Sequence, residues 1–248
     1  LGVTVAKESG ASKVVVASTG NTAASAAAYA ARAGLKCYVV LPRGNVARGK
    51  LMQASLHGAE LVMVNGLFDK ALEYVVTYGT RYAYPLNSFN PWRLEGQKTL
   101  AFEVFEELGC PDYVVVPVGN AGNISAIWKG FKELNLLGKI KGAPRLIGVQ
   151  SSGCSPIVDA FLGIEGTIEN PMTRATSIFI LNPPKKDLAI KAIKESGGLA
   201  VKISDQDILE AEQEVARMEG IFAEPASSGT IAALRNLVNE SYIDKSEK

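Results

Sequence analysis

Histidine is nearly absent. The 248-residue chain has one, His57, so metal sites built on two or more histidines are excluded, and a Ser-His-Asp triad would have to use that residue. His57 closes the helical pattern KLMQASLH before Gly58, where an imidazole suits the negative end of a helix dipole. Chemistry then falls to a lysine, a carboxylate or a bound cofactor. Cysteine is sparse too. Cys37, Cys110 and Cys154 lie far apart with no Cys-x-x-Cys, which argues against a disulfide framework and fits reduced, cytoplasmic thiols. Net charge is missing as well: 26 Lys and Arg against 25 acidic residues leave +1. That balance provides no footprint for nucleic acid or an anionic membrane, although a small anion needs only a local site. No apolar run is long enough to span a bilayer, and residues 1–6 have neither the charged start nor the cleavage signal of a secretory leader. A cytoplasmic protein with no membrane or nucleic-acid partner is the expectation.

What is present is alternation. Hydrophobic residues make up 47% of the chain, enough for a substantial core. Strands are predicted over 14–17, 37–41, 60–64, 83–86, 113–118, 145–150, 199–203 and 221–223. Helices are predicted over 23–33, 48–57, 68–82, 94–108, 124–134, 157–162, 188–195, 204–219 and 228–239. Ser204 opens one of these, with Asp207 completing a shortened capping box. Such repeated β-α units predict an α/β fold with mainly parallel sheet and helices on both faces. The domain boundary is expected in 87–95, and 163–184 reads as a long surface loop. The chain opens within a helical pattern at Leu1 and closes on a polar stretch, 244–248, where another strand is expected. It therefore reads as a fragment.

Three polar mouths interrupt the alternation: Ser18-Thr19-Gly20-Asn21-Thr22, Gly119-Asn120-Ala121-Gly122-Asn123, and Glu224 to Thr230. Each is expected between the carboxyl end of a strand and the amino end of a helix, all three on one sheet edge. Helix N-termini carry unpaired N–H groups and partial positive charge, and glycine lets a ligand approach the backbone closely. Phosphate or carboxylate is the matching ligand. Taken alone, each mouth also reads as ordinary capping of a βα turn. The second has neither the G-x-G-x-x-G spacing nor the Gly-Lys-Ser/Thr of a P-loop. A fourth polar stretch, 87–99, should reach the same edge. There Arg93 offers a planar fork for an anion, or, with Glu95, a surface ion at a helix start.

Four segments, ASTGNTAAS (17–25), NPWRLEGQKT (90–99), PVGNAGNISAIWKGFKE (117–133) and EGIFAEPASS (219–228), together resemble the threonine synthases. Those are pyridoxal-phosphate enzymes of the tryptophan-synthase-β fold, fold type II. The resemblance runs in order along the whole chain. It implies two lobes of mainly parallel, twisted sheet flanked by helices: a smaller mobile lobe, 14–87, and a larger cofactor-binding lobe, 1–13 with 88–248. It implies conversion of O-phospho-L-homoserine and water to L-threonine and phosphate, with pyridoxal 5'-phosphate as cofactor, no metal, and a homodimer as the frequent assembly. Asn21 would hydrogen-bond the cofactor's ring hydroxyl. Gly119, Asn120, Ala121, Gly122 and Asn123 would surround its phosphate. Ser18, Thr19 and Thr22 would hold the substrate carboxylate, and Asn87, Ser88 and Arg93 its phosphate.

The family's Schiff-base lysine, in a Ser-Phe-Lys-Asp context, would fall before Leu1, and its Thr-Gly-x-Gly segment after Lys248. Lys7 and Lys13 lack that context, so no catalytic residue is assigned in this chain, and the piece alone is expected to be inactive. Other readings are a threonine or serine dehydratase, a cysteate-synthase-like enzyme, or a non-catalytic module binding a phosphorylated amino acid or the cofactor.

Overall fold

The structure is a computed structural model that describes residues 1–43, 48–166 and 168–248. The chain divides into two compact units, Leu1–Gly96 and Gln97–Lys248.

The first unit runs α1 (Gly2–Glu8), β1 (Lys13–Ala17), α2 (Asn21–Ala33), β2 (Lys36–Pro42), α3 (Arg48–Leu56), β3 (Glu60–Val64), α4 (Phe68–Thr77), β4 (Tyr84–Pro85) and α5 (Pro91–Gln97). Its four strands are parallel, in the order β3-β2-β1-β4. Val16 lies opposite Val39, and Val39 opposite Leu61. Strand side chains alternate between faces. Val14, Val16, Cys37, Val39 and Leu41 face α1 and α2, while Val15, Ala17 and Val40 face α4. The alanines of α2, with Ala23, Ala26, Ala27 and Ala30 buried, bring that helix close to the sheet. Gly34 ends α2 in the left-handed region at φ 73°, which glycine enters without a Cβ penalty. Ala6 of α1 sits in the same core, so this compact unit is wider at both ends than the 14–87 lobe.

The second unit runs α6 (Thr99–Leu108), β5 (Tyr113–Pro117), α7 (Gly122–Leu136), β6 (Arg145–Ser151), α8 (Pro156–Leu162), α9 (Lys186–Glu195), β7 (Leu199–Ile203), α10 (Asp205–Glu219) and α11 (Pro225–Asn239). Its strands are parallel in the order β5-β6-β7, with Val115 opposite Ile147 and Val149 opposite Val201. One face packs Val116, Val118 and Leu146 against Ile124, Ile127 and Phe131 of α7, with α8 and α9 beside them. The other packs Ile147, Val149 and Ile203 against α10 and α11.

Several sequence expectations are corrected. The helix expected over 94–108 is two, α5 and α6. At Lys98 the Ala101 N–H donates to the Lys98 carbonyl at 3.0 Å, a tight three-residue bond. The backbone of α7 crowds that carbonyl, since a Cβ on Gly130 would lie 2.5 Å from it. The helix expected over 68–82 stops at Thr77 and continues as a 3-10 turn, Gly79–Arg81, where a Cβ on Gly79 would lie 3.3 Å from the Val15 side chain. No strand forms at 221–223. Gly220 ends α10 at φ 67°, and Ile221 and Phe222 remain 58% and 86% exposed with no strand beside them. The loop at 163–184 contains a 3-10 turn, Thr176–Ile178, whose Ile178 is core; Thr167 lies outside the described residues. Ser204 does cap α10, accepting from the Asp207 N–H at 3.1 Å.

One ion cluster joins two helices of the second unit. The Trp128 indole of α7 donates to Glu195 of α9 at 2.8 Å, and Lys132 pairs with the same carboxylate at 3.1 Å. The indole hydrogen bond first, and Lys132 second, hold the Glu195 pKa below its ordinary value. A depressed carboxylate contributes stability that is full above its unfolded pKa and is lost as pH falls through the folded one. E195Q is therefore expected to melt below the parent at neutral pH, with the gap closing as pH is lowered into the acid range.

Candidate functional site

The mouths do not share one sheet edge. The first follows β1 in the four-stranded sheet, the second follows β5 in the three-stranded sheet, and the third has no strand before it.

At the first mouth, the buried Ser18 hydroxyl accepts from the Gly20 and Ala23 N–H groups at 3.3 and 3.2 Å, shaping the entrance to α2. Helix α2 begins with Gly20 at the N-cap, so the side-chain cap on its first turn comes from Ser18 two residues earlier, and no acidic residue lies in that turn. Thr19 is half-buried, and Asn21 is exposed. The Thr22 hydroxyl accepts from Arg93 Nη2 at 3.2 Å, while Arg93 Nη1 donates to the Leu86 carbonyl at 3.1 Å. The fork of Arg93 is thereby braced beside the start of α2. Burial lowers the Arg93 pKa, but a guanidinium stays charged at any working pH.

Asn87 does something the sequence did not reveal. It is 2% exposed, and its side-chain amide pairs twice with one backbone residue: it accepts from the Ala17 N–H and donates to the Ala17 carbonyl, both at 2.9 Å. The preceding rung is an ordinary ladder bond, Leu86 N–H to the Val15 carbonyl at 2.8 Å. The amide of Asn87 thus adds one more rung between β4 and β1 and fixes the strand end from which the first mouth springs. Next to it Ser88 is buried, and Asn90 anchors α5 by accepting from the Trp92 N–H and donating to the Pro85 carbonyl.

At the second mouth, Ala121 is the N-cap of α7 and lies in the left-handed region at φ 61°, a conformation that costs a non-glycine residue about 1–2 kcal/mol. The first turn of α7 has no side-chain cap and no acidic residue. The Asn120 side-chain oxygen is buried without a hydrogen bond, at a cost of about 1–3 kcal/mol. A strained cap, an uncapped 15-residue helix and an orphaned amide in one loop fit an anionic ligand that completes the structure. Gly119 serves packing. A Cβ there would lie 3.0 Å from the Ile178 Cα and 3.3 Å from the Ser177 carbonyl oxygen. Gly122 is buried and Asn123 exposed.

At the third mouth two of the hydroxyls bond to their own helix. Ser228 is fully buried with its hydroxyl 3.4 Å from the Glu224 carbonyl, and Thr230 donates to the Ser227 carbonyl at 2.7 Å. Ser227 is exposed.

Gln150 was missed in the sequence. Fully buried at the end of β6, it accepts from the Ile157 and Val158 N–H groups and donates to the Val118 carbonyl, so it caps α8 and holds the residue before Gly119. A lone amide ending an apolar strand was the available signal. Among the described residues no helix is long and apolar enough to cross a membrane.

The sequence model of the family described as "Pyridoxal-phosphate dependent enzyme" matches residues 2–248. The chain is 52% identical to the threonine synthase of Methanocaldococcus jannaschii over 254 aligned residues, covering 100% of this chain and 63% of that protein. It is 48% identical to the threonine synthase of Methanosarcina acetivorans, covering 100% of this chain and 62% of that one. It thus spans somewhat less than two thirds of the length of these curated relatives. Among solved structures, the processed form of threonine deaminase isoform 2 from Solanum lycopersicum superposes with a TM-score of 0.75 at 21% identity, over 96% of this chain and 67% of that one. An L-serine ammonia-lyase from the fungus Rhizomucor miehei superposes with a TM-score of 0.79 at 15% identity, over 98% and 78%. These two likenesses establish a shared fold. With the family match running along nearly its whole length, the chain belongs to the pyridoxal-phosphate dependent enzymes.

Proposed function

We propose that the protein is a threonine synthase, converting O-phospho-L-homoserine and water to L-threonine and phosphate. The observation that carries this reading is Arg93, braced by Thr22 and the Leu86 carbonyl at the start of α2, as a seat for a second anion besides the one at 119–123. A dehydratase of unphosphorylated serine or threonine has no leaving phosphate for such a fork to grip. Similarity to threonine synthases at 52% and 48% identity supports the same choice.

In this reading the loop Gly119, Asn120, Ala121, Gly122 and Asn123 holds the phosphate of pyridoxal phosphate, and Asn21 meets its ring hydroxyl. When bound, the cofactor supplies an electron sink for carbanions of the amino-acid substrate. Thr19 and the positive N-terminal end of α2 receive the substrate carboxylate, with Ser18 and Thr22 setting the shape of that turn. Arg93 and Ser88 receive the substrate phosphate and stabilise its charge as it departs. Asn87, with its amide engaged by Ala17, orients this site through the backbone. Residues 14–87 are the part taken to move on substrate binding, excluding water until it is needed. A homodimer is the proposed assembly.

The test is product analysis with the full-length protein. Incubation with O-phospho-L-homoserine should release phosphate and threonine in equal amounts. Release of a keto acid and ammonia from threonine or serine, with phosphohomoserine left intact, would replace this reading by the dehydratase. Turnover of O-phospho-L-serine in its place would point to the cysteate-synthase-like enzyme.

A further inference from the structure

Asp205 is the first residue of α10, where a carboxylate is favourable with the helix dipole. Its oxygens, however, are taken up elsewhere. One accepts from the Ser151 hydroxyl at 2.9 Å and from the Thr173 hydroxyl at 2.6 Å; the other accepts from the Arg174 N–H at 2.7 Å. One carboxylate thereby gathers the end of β6, the start of α10 and the loop at 173–174. Thr173 in turn accepts from the Ala175 N–H at 3.0 Å, and the Met172 N–H donates to the Gly153 carbonyl at 3.2 Å. Ala175 is fully buried and leads into the 3-10 turn whose 177–178 backbone rests on Gly119, at the distances given above.

We propose that Asp205 is a positioning residue for the anion seat at 119–123, acting through segment 173–178. The proposal rests on the reading of that seat as the place of the cofactor phosphate. The chain of contacts is continuous: the carboxylate sets 173–174, this sets the register of the 3-10 turn, and the turn sets the floor under Gly119. A neutral amide at 205 offers acceptors on only one atom. Its NH2 would either face the Arg174 N–H, or turn to the two hydroxyls and reverse both of those bonds; either way the charge-assisted ties become weaker neutral ones. Thr173→Val removes a different tie to the same carboxylate.

The experiment compares the affinities of the full chain for pyridoxal phosphate and for pyridoxal, which lacks the phosphate, by equilibrium dialysis. The unaltered protein should prefer the phosphorylated form. D205N and T173V are each expected to weaken pyridoxal phosphate about tenfold, the size of one charge-assisted hydrogen bond, while pyridoxal changes by less than about twofold. Inorganic phosphate should compete less well against pyridoxal phosphate in both variants. Equal weakening of the two ligands overturns the proposal, because Asp205 would then only support the fold, and so does an unchanged preference. If D205N does not fold, T173V decides. Absence of any phosphate preference in the unaltered protein removes the seat itself and the proposal with it; a preference that survives both variants defeats the proposal alone.

Discussion

R93A is expected to lower kcat/KM for O-phospho-L-homoserine on the order of 10²–10³-fold, the effect of removing a desolvated, hydrogen-bonded charge from its anion. The geometry supports a loss of that size. Thr22 and the Leu86 carbonyl already hold two of the guanidinium nitrogens, so the fork is oriented before substrate arrives. Burial has stripped it of some water, which strengthens its attraction for an incoming phosphate. R93K keeps the charge, but one ammonium does not brace against both partners and also grip a phosphate in two places. It should recover only part of the loss. Steady-state kinetics with the phosphorylated substrate, beside melting curves to confirm folding, provide the readout. A kcat/KM within about threefold of the parent would take the substrate phosphate away from Arg93.

N87A should act on a different quantity. It strands the N–H and carbonyl of Ala17 in a nearly dry strand end, and each unsatisfied group costs about 1–3 kcal/mol. A total of about 2–6 kcal/mol follows, and in a chain of this size each kcal/mol lowers Tm by about 2–4 °C. N87D should be similarly harmful, since it sets a carboxylate oxygen against the Ala17 carbonyl. Thermal unfolding read by circular dichroism checks this. Were Asn87 instead a direct phosphate ligand with a dispensable clamp, KM would rise while Tm stayed in place.

These two residues come from one short motif, and the sequence reading assigned both to the same phosphate. The difference between them was not legible because it depends on a partner 70 residues away in the chain. Periodicity did resolve much of the scaffold. β-branched runs such as KVVVA and YVVVP are strands on any reading, and β3 and β7 fall on the expected residues. Periodicity was silent on pairing. Ile221 to Ala223 has the composition of a strand and no neighbour to ladder with, and the first two mouths belong to different sheets. The helix break at Lys98 comes from α7 crossing a carbonyl, which local propensity does not encode. Asp205 was hidden for the same reason as Asn87. It sits inside the legible cap of α10 and passes for a helix-start charge, while its partners Ser151 and Thr173 lie 54 and 32 residues away.

The left-handed Ala121 bears on timing. Its backbone cost, about 1–2 kcal/mol, is met once, when the second unit folds, and not again at each encounter with a ligand. A floppier loop would surrender conformational freedom every time an anion arrived, and its affinity would fall by that amount. The seat at 119–123 is in this sense a loaded spring held by the fold around it: the molecule gives up a little stability for its whole lifetime, and the anion meets a shape that is already made.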